Sequence, residues 1–165
     1  MESPPLALPH RAARLAVIVA ALGYFVDIYD LLLFGIVRVP SLQSLGVTGD
    51  DVRRVGVLLL DSQMLGLLAG GLLWGILGDL RGRKSVLFGS ILLYSLANLA
   101  NAAVTSIPVY AALRFVAGVG LAGELGAGVT LVSELLHRER RGLGTMVIAG
   151  FGTLGAVVAS LVGDL

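Results

Sequence analysis

The chain has 165 residues, 56% of them hydrophobic and 14% charged, with a formal net charge of +1 and a mean hydropathy of +0.92. Soluble domains carry about 25% charged residues, so this composition excludes an ordinary soluble domain and indicates an all-α membrane protein. The absence of cysteine excludes a disulfide framework, a thiol nucleophile and a Cys-based metal site.

Residues 1–14 read as a short polar leader containing Pro4, Pro5 and Pro9. Arg11 and Arg14 before an apolar run with Val19-Ala20-Ala21 would suit a signal peptide. The apolar character continues past that point to Val37, however, which favours a membrane span over 15–37. That span carries Asp27 and Asp30, each costing at least ~2.5 kcal/mol in the hydrocarbon and so requiring a partner, a cavity or a proton. At spacing i, i+3 the two share a helical face. Residues 38–54, with Pro40, Gly46, Gly49, Asp50 and Asp51, read as an exposed loop.

A second span is expected over 55–78, long enough for the roughly 20 apolar residues a bilayer requires. It holds Asp61-Ser62-Gln63 in its first part and the pairs Gly66/Gly70 and Gly71/Gly75 below. Small residues four apart let a neighbouring helix pack closely. Trp74 suits an anchor at the membrane interface. A tight basic turn follows, Gly75-Ile76-Leu77-Gly78-Asp79-Leu80-Arg81-Gly82-Arg83-Lys84. A positive cytoplasmic turn would account for the cations but not for the spacing of Gly75, Gly78, Asp79 and Gly82. This stretch resembles the signature loop between the second and third helices of the major facilitator superfamily. It departs from the pattern at Leu80, where a basic residue is usual.

The third span, 85–104, is uncharged, and its Asn98 and Asn101 are assigned a structural role. A short turn, Thr105-Ser106-Ile107-Pro108, makes the third and fourth spans antiparallel neighbours. The fourth span, 109–136, contains Arg114, Glu124 and Glu134 among regularly placed glycines. The glycines at 118, 120 and 123 match a dinucleotide-binding spacing, but that fingerprint requires a preceding strand and a βαβ unit. Arg114 followed by these glycines and Glu124 is instead similar to the superfamily's fourth-helix motif. Glu124 and Glu134 narrow the resemblance towards its metabolite:proton symporter and sugar porter branches. The first span agrees, since Asp27-Ile28-Tyr29-Asp30 resembles the acidic-x-aromatic-Asp pattern of the same symporters. The fifth span, 142–163, lacks the Gly-Pro pair of the drug-antiporter branch, which favours symport.

Lys and Arg number eight in the leader and the second-to-third and fourth-to-fifth links, against three in the first-to-second link. This asymmetry puts the N-terminus in the cytoplasm, in a plasma membrane or bacterial inner membrane. At 1.5 Å per residue, Asp30, Asp61 and Arg114 each lie about 8–10 Å below the outer ends of their spans. Asp30–Arg114 is therefore expected as the central pair, with Asp61 competing for the cation and Asp27 nearer the midplane. A carboxylate beside an arginine stays ionised, and one left alone in a dry interior takes up a proton. The four are accordingly candidate proton-coupling residues, and Tyr29, Gln63 and Glu124 candidate solute contacts. What the resemblance implies at the cytoplasmic face is a gate of Gly75, Asp79, Gly82, Arg83, Lys84, Glu134 and Arg138, closing against another half of the molecule.

Members of the superfamily are usually built of 12 spans in two halves, each of two inverted three-span repeats. Five spans amount to one repeat and two-thirds of another, so the chain reads as the N-terminal piece of a longer transporter. The expected partners are a small organic solute such as an organic acid or sugar, protons, the bilayer and a missing C-terminal half. Neither nucleic acid nor a cofactor is expected. A non-transporting remnant or helper subunit is the alternative. A membrane-embedded enzyme finds no support, because His10 and His137 both fall outside the spans and no metal cluster forms.

Overall fold

The computed structural model describes residues 10–135 and 141–163 of the chain, as five helices. These are α1 (His10–Ser44), α2 (Asp50–Arg81), α3 (Arg83–Asn101), α4 (Ile107–Leu135) and α5 (Arg141–Gly163). By length and hydropathy alone, Asp50–Arg81 and Ile107–Gly126 are able to cross a bilayer, and Ser85–Asn101 and Ala149–Val162 are shorter apolar helices. Residues 1–9 of the expected leader lie outside the described residues, and from His10 onward the leader is already helical.

The largest departure from the sequence reading is between the first two helices. The expected loop over 38–54 shrinks to residues 45–49, because α1 runs through Pro40 to Ser44 and α2 begins at Asp50. Proline removes one backbone donor but does not stop a helix whose flanks are packed. Leu42 is completely buried, in a cluster with Phe34, Val47, Leu59 and Tyr110, and this packing holds the last turns of α1 in place. Arg38, expected in the loop, lies along α1 with its side chain 3.6 Å from where a Cβ on Gly56 would stand. The link closes with Gly46 and Gly49 at positive φ, and Asp50 and Asp51 face the positive end of α2.

Adjacent helices in the chain are not always the closest in space. α2 runs along α4, α1 along α5, and α3 along α4. Glycine sets the closeness of the first two contacts. A Cβ on Gly66 would collide with the Phe115 carbonyl, one on Gly118 with the Gln63 carbonyl, and one on Gly70 would stand 2.6 Å from the Val119 oxygen. Gly155 of α5 likewise admits the Phe25 carbonyl of α1. The expectation for Gly66/Gly70 therefore holds, whereas Gly71 and Gly75 have nothing within 4 Å and pack against nothing described. Trp74 also differs from its expected role as an interfacial anchor. Its indole Nε1–H donates to the Val119 carbonyl of α4 at 2.6 Å, so it ties α2 to α4 inside the bundle.

Candidate functional site: a polar network between α1, α3 and α4

Three helices bring polar side chains to one place in an otherwise apolar interior. From α1 comes Asp30, from α3 Tyr94 and Asn98, and from α4 Arg114. The Tyr94 hydroxyl donates to Asp30 Oδ2. Asn98 Nδ2 donates to the same oxygen at 3.4 Å, and Arg114 Nη2 donates to Asn98 Oδ1 at 3.0 Å. Tyr94 is buried and Arg114 is only 5% exposed, so the network is shielded on most sides. Its four-residue reach follows from helical spacing, since Tyr94 and Asn98 are one turn apart on the same face of α3.

Arg114 is held from its other side by aromatic rings. Its guanidinium carbon lies 4.1 Å from the Phe34 ring centroid and 5.9 Å from that of Tyr110. A desolvated contact of this kind contributes about 2 kcal/mol. Phe34 and Tyr110 meet edge to face at 6.1 Å, and Ser41 Oγ donates to the Tyr110 hydroxyl at 3.2 Å. The cluster of Phe34, Leu42, Leu59 and Tyr110 thus closes the bundle over Arg114 on the side of the α1–α2 link.

The direct Asp30–Arg114 pair expected from depth is not found among the described residues, where the ion pair recorded is Asp79–Arg83. Asn98 stands between the two charges instead. Asp61, expected to compete for the cation, is exposed and is not brought into the network. Its neighbour Gln63 is completely buried, with both amide atoms unpartnered. Tyr29 is half-buried and stacks on Phe25 of its own helix, rings 6.5 Å apart and 2° from parallel.

A second cluster lies along α1 and α4. Asp27, 3% exposed, and half-buried Glu124 lie near enough for their charges to interact. Asp27 Oδ1 and Glu124 Oε1 are buried without a hydrogen-bond partner. Depth estimates placed these residues apart. The inclination of α1 against α4 brings them together, and no linear spacing encodes it.

At the other end of the bundle the α2–α3 turn is formed as the glycine spacing implies. Gly82 has φ +85°, a conformation that costs a residue with a Cβ 1–2 kcal/mol, and its N–H bonds the Gly78 carbonyl at 3.1 Å. Arg83 lies over Gly78, its Nη1 3.1 Å from the position a Cβ would take, and donates to Asp79 Oδ1 at 3.2 Å. Asp79 is 74% and Arg83 37% exposed at the side chain. Of the remaining expected gate residues, Arg138 and the side chains of Lys84 and Glu134 lie outside the described residues.

Sequence reasoning missed Tyr94 and gave Asn98 a structural role. The available signal was their spacing of four on one face of an apolar helix, the same argument that singled out Asp27 and Asp30.

Apolar helices packed through glycine around a cluster of acid, amide and arginine define a multi-pass membrane protein with polar groups in its interior. A profile of the Major Facilitator Superfamily matches residues 16–165, and the chain belongs to that superfamily. It is similar to the niacin transporter of Acinetobacter baylyi, 40% identical over 98 residues, 59% of this chain and 22% of that protein. It is also similar to the inorganic phosphate transporter 1-1 of rice, 30% identical over 162 residues (88% and 31%). The 3-(3-hydroxy-phenyl)propionate transporter of Escherichia coli is 31% identical over 130 residues (74% and 32%). The chain thus spans between a fifth and a third of the length of these relatives.

Proposed function

We propose that this chain is the N-terminal part of a secondary transporter that couples proton entry to symport of a small organic solute. The observation that carries the reading is the Asp30–Asn98–Arg114 arrangement across three helices, with Arg114 buried and Asp30 and Asn98 half-buried. A charged carboxylate inside a membrane is retained at a cost of several kcal/mol; an arginine nearby holds it ionised, and loss of that cation lets it take a proton. The names of the relatives include a phenylpropionate and inorganic phosphate, which favours an organic acid over a sugar. In this reading Gln63, Glu124 and Tyr29 face the solute path, and Arg114 and Asp27 share the proton-handling role with Asp30. All five helices cross the plasma membrane with the N-terminus in the cytoplasm. A C-terminal half closes the solute site, and the Asp79–Arg83 turn gates it from the cytoplasm together with Gly75, Gly82, Lys84, Glu134 and Arg138.

The test is uptake of labelled organic acids by proteoliposomes holding the full-length transporter, with and without an inward proton gradient. Asp30→Asn is expected to abolish uphill accumulation and to spare solute exchange. Undiminished uphill uptake in that variant would refute the assignment.

A further inference from the structure

We infer that Asn98 is a positioning residue that relays the protonation state of Asp30 to Arg114. This rests on the reading of Asp30 as a proton-exchanging carboxylate. The argument begins with what an amide can do. Asn98 donates through Nδ2 to Asp30 and accepts through Oδ1 from Arg114, two functions that an amide combines on one rigid planar group. An apolar side chain at 98 would serve neither neighbour, and an aspartate would repel Asp30.

A direct carboxylate–guanidinium contact would be short and bidentate, and separating it inside the protein would strand a charge. The interposed amide avoids that. When Asp30 takes a proton from a hydronium ion, that ion's O–H bond breaks to leave water, an O–H bond forms on the carboxylate and its charge is removed. The Tyr94 hydroxyl, a donor to the ionised form, can rotate to accept from the protonated form. The Asn98 Nδ2–H then faces a neutral acceptor, and the amide plane is released to turn. Because that plane also carries the oxygen bound by Arg114, the guanidinium loses its fixed partner. Its Nε has no partner already, so the hydrogen bond to Asn98 and the ring faces of Phe34 and Tyr110 are what fix it.

The groups that bear on Asp30 come from every packed element. Tyr94 of α3 bonds it directly. Asp27 lies one turn away on α1, with Glu124 of α4 close to it. Arg114 and Tyr110 stand beyond Asn98 on α4. α5 carries no ionisable residue between 142 and 163. On α2, Asp61 is exposed and Gln63 is neutral.

The experiment uses the full chain in lipid nanodiscs, with nitrogen resonances of the Arg114 side chain and isotope-edited infrared bands of the Asp30 carboxyl followed against pH. In the unaltered chain the Arg114 signal is expected to move in step with the Asp30 carboxyl band. In Asn98→Leu the Asp30 band still titrates and the Arg114 response to it is lost. In Tyr94→Phe the response is retained. An Arg114 signal that still follows Asp30 in Asn98→Leu overturns the relay, since direct electrostatics would then suffice, and so does its loss in Tyr94→Phe. A carboxyl band that never changes with pH in the unaltered chain defeats the proton-exchange reading itself and the relay with it. Trp74 emission reports whether each variant has folded. Should Asn98→Leu fail to insert, Asn98→Ala adds no bulk and carries the same expectation.

Discussion

The two ends of this bundle both hold charged residues, under opposite physical conditions. At the α2–α3 turn, Asp79 and Arg83 sit four residues apart on the outside and pair at 3.2 Å within reach of water. Around Arg114, acid and cation come from different helices, the cation buried and the acid half-buried, and are joined through Asn98. An exposed pair contributes about 0–1 kcal/mol, whereas a buried polar group that loses its partner costs several times that. The turn is accordingly set by local backbone geometry, and the interior network by how the helices pack. Similar residue types thus form a local exposed pair at one end and constrain three helices at the other.

The most disruptive change tests the packing on which the interior network depends. Gly66→Val puts a branched side chain into the Phe115 carbonyl, and the backbones of α2 and α4 must part. Overpacking of this kind costs 1–3 kcal/mol or more, and the expected result is loss of the folded species in detergent, read by size-exclusion chromatography. Next in size is Arg114→Leu, which leaves Asn98 Oδ1 without its donor and Asp30 without its nearby cation. A loss of about 3 kcal/mol is expected in denaturant titration, and adding Asp30→Asn should recover part of it. A loss no larger than that from Asp79→Asn would erase the contrast between the two ends.

Trp74→Phe removes the 2.6 Å bond to Val119 while keeping most of the ring. It should cost about 1 kcal/mol, and unaltered thermal unfolding would return Trp74 to the role of an interfacial anchor. The smallest effect is expected from Asp79→Asn, under ~1 kcal/mol and diminishing with added salt. A larger, salt-insensitive loss would mean that the turn is structured by its ion pair rather than by Gly82.

Much of the architecture was legible because hydrocarbon imposes length and composition. Five apolar runs, the tight turn at Gly82 and the close-packing glycines Gly66 and Gly70 follow from bilayer thickness and from the space a Cβ occupies. The helices depart most from the expected spans around the first link, where α1 continues through Pro40 and α2 begins at Asp50. There, burial of Leu42 and Phe34 outweighed the local preference of proline, which is tertiary information.

Sequence alone determined that the chain enters a membrane as packed helices, that two acids on α1 share a face, and that the loop after α2 is a glycine-built turn. Each of these depends on residues near one another in the chain. Only the tertiary structure decided that Asn98 separates Asp30 from Arg114, that Asp27 meets Glu124, that Asp61 stays exposed while Gln63 is buried, and that Trp74 points inward. Each residue along a helix turns by about 100°, so a small change in helix rotation or inclination exchanges one partner for another. That rotation is fixed by small residues on neighbouring helices, which lie far away in the sequence.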